Sequence, residues 1–289
     1  MTAAPRNEEI SEAPCVVLEL TSEPETLTLV RTMLSAVGEA FAIDPELLDD
    51  LKTAISEACN NVVLHAYAGD RGPLSIELFV LEEAVAARIR DRGRGIEPED
   101  LDSERHSGVG IPVIGALSDW AEFNTPPGGG TEVFMSFVAE RDGRRLFIPP
   151  LATVENDGWT SNLDGDAVVS VSPLELLGTL LGRLARASAA SAKFSLDRFS
   201  DVYLVTDAVA AHAATAAMSD RIAFAISGED HRLELAIGPL RSGTAQQIQE
   251  LGALQAGPSP LKVLSDEVSA NAVAESGELL RILMLDRQN

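Results

Sequence analysis

Cysteine is nearly absent from this sequence, and its scarcity excludes two common frameworks. Only Cys15 and Cys59 occur in 289 residues, far apart in the chain and without the spacing of metal ligands. We therefore expect neither a disulfide scaffold nor a cysteine-based metal site. A reducing cytoplasm is the simplest location for such a chain.

Long apolar runs are also lacking. No stretch approaches the roughly 18 apolar residues that a membrane-spanning helix requires, so no membrane contact is expected. The first 14 residues are polar and acidic, and do not form a basic segment followed by an apolar one. On this basis we expect no secretion signal.

Basic residues are the third shortage. The sequence has 22 lysines and arginines against 45 aspartates and glutamates, which gives a formal net charge of −23. Direct binding of nucleic acid is not expected, because contacts between basic side chains and phosphates supply most of that affinity. Two interpretations stay open: the excess charge only solvates the surface, or its field steers a partner that has basic patches.

The apolar content is sufficient for two globular cores. Hydrophobic residues make up 45% of the chain and charged residues 23%, and 289 residues are long for one compact domain. Residues 148–165 are rich in Pro, Gly, Asn and Asp, which is typical of a linker. We therefore predict one domain over residues 15–147, a linker over 148–165 and a second domain over 166–289.

Hydrophobic periodicity predicts the elements of the first domain. In chain order they are a strand at 15–20, helices at 24–41 and 45–67, strands at 74–81 and 84–90, a glycine-rich loop at 91–110, a helix from about Ile111 and a strand at 131–139.

The second domain repeats this order of elements. Its predicted elements are a strand at 167–171, helices at 173–187 and 201–217, strands at 221–226 and 232–237, a further helix and a closing strand after Gly277. Short sequence similarities recur at a near-constant offset of about 147 to 150 residues; for example, Gly277 corresponds to Gly130. The repetition predicts a duplicated domain.

The second predicted helix carries an unusual line of polar residues. Glu57 and Asn61 are four residues apart and therefore share one face, and His65 extends the line by four more. Asn is a poor helix former, so its place among apolar neighbours needs a reason. An amide oxygen is a suitable ligand for Mg²⁺, and a carboxylate can accept a proton. The alternative is a solvated face with a capping Asn.

Three glycine-containing segments come after this helix. Asp91-Arg92-Gly93-Arg94-Gly95 lies directly after a strand, where a carboxylate can accept a hydrogen bond from the exocyclic amine of adenine, although a plain turn uses the same residues. Ser107-Gly108-Val109-Gly110 precedes a helix and would present backbone N–H groups to phosphate, although the P-loop pattern is absent. Gly128-Gly129-Gly130-Thr131 opens a strand with a tight turn beside a hydroxyl.

In this order and spacing, the polar helix and the three segments resemble the sequence boxes of the GHKL ATPase superfamily, which includes gyrase and the histidine kinases. Its Bergerat fold is an α/β two-layer sandwich, in which helices cover one face of a mixed, mostly antiparallel sheet. The pattern Glu-x-x-x-Asn-x-x-x-His-Ala-Tyr, from Glu57 to Tyr67, looks most like the anti-sigma-factor serine kinases. So do Ser-Gly-Val-Gly-Ile and the short lid between Gly95 and Gly108. The resemblance is close over about residues 15–140, and the repeated element order predicts this fold twice.

The resemblance implies binding of ATP with Mg²⁺. It implies Asn61 as the metal ligand and Glu57 as the general base. Asp91 would hold adenine, Thr131 would lie on the adenine side, and the Gly-Val-Gly segment would cradle the phosphates. The nucleotide-binding residues implied are Asn61, Asp91, Gly93, Gly95, Arg105, His106, Gly108, Val109, Gly110 and Thr131, of which Arg105 and His106 in the lid would reach the terminal phosphate.

The second domain departs from this pattern. Asp207 keeps a carboxylate in its second helix, but Ala211 replaces Asn61, and Pro239 lies at or near the position of Asp91. A site without the amide ligand and the adenine carboxylate is not expected to hold ATP. We therefore predict a degenerate copy whose pocket is empty or collapsed.

The function that the resemblance implies is that of a cytoplasmic protein serine kinase. Its substrate would be an anti-sigma antagonist of the STAS type, and the chain would also bind a sigma factor. A homodimer stays open. The alternative is an ATP-dependent binding switch that sequesters a partner without transferring phosphate.

Overall fold

The chain forms two compact units, Met1–Thr153 and Val154–Asn289. The computed structural model describes residues 3–95, 110–139, 159–250, 259–273 and 277–287. Most of the predicted linker lies outside these residues, and its described part contains a short 3-10 helix, Trp159–Asn162. No helix in the described ranges is both long and apolar enough to cross a membrane.

The first unit is a five-stranded sheet with helices packed on it. Its elements are β1 (Val16–Thr21), α1 (Thr26–Ala40), α2 (Pro45–Asn61), β2 (Pro73–Val80), β3 (Ala84–Asp91), α3 (Gly110–Leu117), β4 (Trp120–Asn124) and β5 (Glu132–Val138). The strands lie in the order β4-β5-β3-β2-β1, and these neighbours pair antiparallel. An antiparallel sheet with helices is the arrangement expected of the GHKL fold.

Period-two alternation sends the side chains of β2 to opposite faces of the sheet. Ile76 and Leu78 are fully buried on one face, whereas Phe79 belongs to a cluster on the other. Ile10 and Trp120 pack against that cluster, so the start of the chain covers part of the second face. Arg6 lies over the Trp120 ring, 4.7 Å from its centroid.

Helix α2 begins at a sequence-encoded cap. The carboxylate of Asp44 accepts hydrogen bonds from the N–H groups of Glu46 (3.0 Å) and Leu47 (3.3 Å), and Pro45 occupies the first turn. The buried face consists of Leu47, Leu51, Ala54, Ile55, Ala58 and Cys59. Burial of this apolar stripe orients the helix and leaves Glu57 and Asn61 on a half-buried face.

Two features of the first unit differ from the sequence-based expectation. The regular helix ends at Asn61 and continues as a π-helical turn, Val62–Ala66, where we predicted α-helix to Tyr67. Strand β4 was not predicted, because its residues are all partly buried or exposed and so lack a clear alternation. It lies at the edge of the sheet, beside β5.

The second unit shows the same arrangement of strands. Its elements are β6 (Ala167–Val171), α4 (Leu176–Ser191), α5 (Leu196–Ala216), β7 (Ile222–Glu229), β8 (Arg232–Leu240), α6 (Thr244–Glu250), α7 (Pro260–Leu264), β9 (Glu267–Val273) and β10 (Gly277–Leu285). Their order, β6-β7-β8-β10-β9, parallels that of the first unit, and the neighbours pair antiparallel. As in the first unit, the second-to-last strand was not predicted. Helix α5 starts before the expected residue 201, because the hydroxyl of Ser195 accepts a hydrogen bond from the Arg198 N–H at 3.4 Å.

We expect both cysteines to be unreactive in the folded protein. Cys15 and Cys59 are 0% exposed, and burial raises the pKa of the Cys59 thiol to about 12. Since the thiolate is the nucleophile, a raised pKa leaves the neutral, unreactive thiol at pH 8. With a thiol-exchange reagent at pH 8, neither cysteine should react until guanidinium unfolds the chain, after which two thiols should titrate. Rapid modification of the native protein would contradict the burial.

Candidate nucleotide site

Two polar side chains on α2 form one side of the candidate site. Glu57 and Asn61 are half-buried and lie one helical turn apart. Within the described residues, neither side chain takes part in a hydrogen bond or an ion pair. Among the described residues, both are therefore available to a ligand. Glu57 can accept a proton or a hydrogen bond, and the Asn61 amide can both donate and accept hydrogen bonds.

The π-helical turn changes the direction of the side chains beyond Asn61. A π turn holds more residues than an α turn, so His65 is displaced from the line that Glu57 and Asn61 define. His65 is exposed. The predicted extension of the polar line to His65 assumed a regular α-helix. The structure has a π-helical turn there, so the line ends at Asn61.

Asp91 forms the second part of the site, at the end of β3. Its side chain is 5% exposed, and one carboxylate oxygen accepts the N–H of Gly93 at 2.7 Å. Its backbone N–H donates to the carbonyl of Thr131 at 3.0 Å. The second carboxylate oxygen has no hydrogen-bond partner among the described residues. This leaves an acceptor on a largely buried side chain, which can receive an amine hydrogen from a ligand.

Two glycines permit close approaches of backbone in this region. A Cβ atom on Gly93 would lie 2.2 Å from the carbonyl oxygen of Ala66, and one on Gly130 would lie 2.1 Å from that of Asp91. Gly130 also has φ +84°, a left-handed conformation that favours glycine. The N–H of Arg94 donates to the Ala66 carbonyl at 3.0 Å. The loop after β3 is thereby held against the end of the helix that carries Glu57 and Asn61.

The turn before β5 completes the described part of the site. Gly128 and Gly129 also have positive φ angles, +114° and +90°. Thr131, directly before the strand, is 8% exposed. Gly95 lies near this turn, because a Cβ on it would be 3.2 Å from the Gly130 carbonyl oxygen. The structure thus brings Gly93, Gly95 and Thr131 together with Asp91.

Of the remaining predicted site residues, the structure describes Gly110 alone. Arg105, His106, Gly108 and Val109 lie outside the described residues. Gly110 is the first residue of α3, which packs against α2. The predicted phosphate segment therefore leads into a helix that contacts the Glu57–Asn61 helix.

The donor groups present fit a divalent cation held jointly with a ligand. Within the described ranges, no three His, Cys, Asp or Glu side chains are grouped to hold a metal. Mg²⁺ is usually bound by one or two protein oxygens together with substrate phosphates and water. The unpartnered amide of Asn61 and carboxylate of Glu57 are oxygen donors that match that mode.

One contact in the site was not foreseen from the sequence. The hydroxyl of Tyr67 accepts the N–H of Arg92 at 2.8 Å and donates to the carbonyl of Pro73 at 2.6 Å. Sequence reasoning identified Tyr67 only as part of the helix motif. Nothing in its spacing signals hydrogen bonds to the first residue of β2 and to the residue after β3.

Comparison with known proteins shows the family of the chain. The family profile of the histidine kinase-like ATPase domain matches residues 20–137. The anti-sigma F factor of Caldanaerobacter subterraneus subsp. tengcongensis is 33% identical over 131 residues, which are 41% of this chain and 90% of that relative. The chain belongs to the histidine kinase-like ATPase family.

Other relatives carry related names. The serine-protein kinase RsbW of Listeria monocytogenes is 30% identical over 118 residues, which are 36% of this chain and 75% of that relative. The anti-sigma F factor of Thermoanaerobacter pseudethanolicus is 31% identical over 131 residues, which are 41% of this chain and 90% of the relative. These proteins are similar to the N-terminal part of the chain and confirm the resemblance to the anti-sigma-factor serine kinases.

The second unit repeats the backbone contacts of the site with other side chains. The Arg241 N–H donates to the Ala216 carbonyl at 2.9 Å, as that of Arg94 does to Ala66. A Cβ on Gly277 would lie 2.6 Å from the Leu240 carbonyl oxygen, as one on Gly130 would from that of Asp91. Leu240, the residue after Pro239, therefore takes the place of Asp91.

The polar groups around these contacts differ. Asp207 and Ala211 lie on the exposed face of α5. The carboxylate of Glu278, the residue after Gly277, accepts the N–H groups of Gly243 (2.7 Å) and Ala245 (3.0 Å). The Glu278 side chain thus occupies two backbone N–H donors at the start of α6. Leu240 provides no side-chain acceptor equivalent to that of Asp91.

We expect Gly93→Ala to weaken both the fold and ligand binding. The added methyl group meets the Ala66 carbonyl, so the loop must move away from α2; overpacking of this kind costs about 1–3 kcal/mol of unfolding free energy. Urea titration and calorimetry with ADP and Mg²⁺ measure the two effects.

The matched control is Gly115→Ala in α3. A Cβ at Gly115 meets nothing within 4 Å, and alanine is favoured in a helix by about 0.5–1 kcal/mol. This variant should be as stable as the wild type or more so. Equal stability of the two variants would show that the contact between Gly93 and Ala66 is not tight.

Proposed function

We propose that the first unit is a Mg-ATP-dependent protein serine kinase of the anti-sigma-factor type. The observation that carries the proposal is the pair Glu57 and Asn61, unpartnered among the described residues, on a helix whose end contacts the loop that follows the buried Asp91. The names of the relatives support it, since they include anti-sigma factors and a serine-protein kinase. The family match supports the use of ATP.

In this proposal, the adenine binds on the Asp91 side of the site. The free oxygen of Asp91 accepts the exocyclic amine, and the backbone at Gly93, Gly95 and Thr131 lies alongside the ring. The lid and cradle residues Arg105, His106, Gly108, Val109 and Gly110 bind the phosphates. Backbone N–H groups at the start of α3 suit that task, because a helix N-terminus attracts anions.

The chemistry falls to Glu57 and Asn61. Asn61 would contribute an amide oxygen to Mg²⁺, and the metal would balance the negative charge of the phosphates. Glu57 takes the proton from the attacking serine hydroxyl, whose oxygen forms the new bond to the terminal phosphorus while the bond to the leaving ADP oxygen breaks. A serine hydroxyl is a weak nucleophile at neutral pH, so the carboxylate has to lie within hydrogen-bonding distance of it.

The proposed partners are proteins. A STAS-type anti-sigma antagonist is the phosphate acceptor, and a sigma factor is the protein that the chain sequesters; the names of the relatives support the second role. We propose a cytoplasmic location. The net charge of −23 is unfavourable for binding nucleic acid directly.

We propose that the second unit is a degenerate copy of the first and binds no nucleotide. The matching strand orders and the repeated contacts at Gly277 and Arg241 support a common origin. Ala211 offers no metal ligand, Leu240 offers no acceptor, and Glu278 would repel a phosphate from the donors that it occupies. Its role is docking, to a partner or within the chain.

Asp91→Asn tests the adenine assignment. The asparagine carbonyl can keep the bond from the Gly93 N–H, so the turn stays intact, while the amide presents a donor where the adenine amine needs an acceptor. Loss of a hydrogen bond to a charged group costs about 1.5–3 kcal/mol, so ADP should bind about ten- to a hundredfold more weakly by calorimetry. Unchanged affinity would refute the assignment.

Glu57→Gln and Asn61→Ala separate chemistry from binding. Glutamine cannot accept the serine proton, so phosphate transfer should slow by about 10²–10⁴ while ATP still binds. Asn61→Ala should lose metal-dependent binding as well as transfer, because the amide ligand is removed. The assay is transfer of labelled phosphate to STAS proteins encoded nearby, beside calorimetry with and without Mg²⁺.

Two outcomes would change the assignment. Transfer at the wild-type rate by Glu57→Gln would exclude the general-base role. Binding of ATP by the wild type without transfer to any STAS protein would replace the kinase with the ATP-dependent binding switch, in which nucleotide alters partner affinity alone.

A further inference from the structure

Tyr67 connects three parts of the candidate site. It comes directly after the π-helical turn that ends the Glu57–Asn61 helix. Its hydroxyl accepts the N–H of Arg92 at 2.8 Å and donates to the carbonyl of Pro73 at 2.6 Å. One side chain therefore links the helix end to the first residue of β2 and to the residue next to Asp91.

The strand register shows what this hydroxyl replaces. Leu74 faces Asp91 in the antiparallel pair of β2 and β3, so Pro73 and Arg92 would face each other one step further along. The Asp91 N–H points away from β2, to the carbonyl of Thr131. Successive N–H groups of a strand point to opposite sides, so the Arg92 N–H points toward β2, where a regular antiparallel pair would hydrogen-bond it to the Pro73 carbonyl. The Tyr67 hydroxyl lies between these two groups and satisfies both.

This insertion ends the pairing of β2 and β3 directly after Asp91. The Arg92 N–H keeps a partner although the strands separate, so the loop turns away from β2 without leaving that donor unpaired. Two residues later, the Arg94 N–H reaches the Ala66 carbonyl at 3.0 Å. The path of the loop, and with it the Gly93 N–H that orients the Asp91 carboxylate, depends on where Tyr67 lies.

The ring of Tyr67 is itself held in place. A Cβ atom on Gly72 would lie 2.2 Å from the ring atom Cε1, so the ring packs closely on the Gly72 backbone. Burial raises the pKa of the Tyr67 phenol, which therefore stays protonated and able to donate at neutral pH. A fixed ring with a protonated hydroxyl gives both hydrogen bonds a defined geometry.

We propose that Tyr67 is a positioning residue, which sets the affinity of the first unit for adenine nucleotide by fixing the loop that orients Asp91. The proposal rests on the assignment of Asp91 to adenine under the proposed function. Tyr67 acts through Asp91 and Gly93 and not by touching the nucleotide. Its contribution should therefore disappear when the Asp91 carboxylate is absent.

The test uses the full chain and the only two tyrosines that it contains. Tyr67→Phe keeps the ring and removes both hydrogen bonds, so ADP with Mg²⁺ should bind about 5- to 50-fold more weakly by calorimetry. Tyr203→Phe is the matched control, because Tyr203 is half exposed and its hydroxyl makes no hydrogen bond within the described residues. The control should bind ADP as the wild type does.

A double-mutant cycle distinguishes positioning from general destabilisation. Added to Asp91→Asn, Tyr67→Phe should weaken binding by less than about twofold, because the group through which it acts has already lost its function. Fully additive effects would overturn the proposal, and so would an unchanged ADP affinity in Tyr67→Phe.

Hydrogen exchange makes the outcome independent of the proposed function. Without nucleotide, the Arg92 amide should exchange at least about tenfold faster in Tyr67→Phe and at the wild-type rate in Tyr203→Phe. If the wild type binds no ADP, the proposed function fails and the affinity proposal fails with it, whereas faster exchange would still locate the loop contact. Unchanged exchange with intact ADP binding would overturn the positioning role alone.

Discussion

The close contact between Gly93 and the carbonyl of Ala66 joins the two sides of the candidate site. One side is the helix with Glu57 and Asn61, and the other is the strand end with Asp91. No side chain fits between the two backbones, because even a methyl group on Gly93 would lie 2.2 Å from the carbonyl oxygen. A ligand that spans the site therefore meets groups whose separation is set by backbone contact, which is less adjustable than side-chain packing.

Sequence reasoning predicted the parts of this site that depend on local pattern. The apolar stripe predicts the helix, and Glu57 and Asn61 share one of its faces because they are four residues apart. The position of Asp91 is set by the length of β3. The π turn could not be predicted, since it depends on which carbonyl each N–H finds and not on hydrophobic spacing. The bridge made by Tyr67 depends on that turn and on the strand register, both of which are properties of the folded unit.

The second unit shows which features of the site belong to the fold alone. It retains a glycine at position 277 in a positive-φ conformation, close to the Leu240 carbonyl, and a loop amide bonded to the Ala216 carbonyl. It lacks an amide at position 211 and a carboxylate at position 240. The backbone frame is therefore compatible with side chains that offer nothing to a nucleotide.

The ligand-facing side chains and the close-contact glycines contribute differently to the stability of the fold. Asn61 and Glu57 make no hydrogen bond or ion pair within the described chain, so replacing either should change the unfolding free energy by only about 0.5 kcal/mol. Gly93 and Gly130 cannot accept a side chain without a shift of backbone. A domain that does not bind nucleotide can therefore lose such ligand groups at little cost to folding, but not its close backbone contacts. Under the proposal that the second unit is a degenerate copy, this difference accounts for Gly277 in place of Gly130 and Ala211 in place of Asn61.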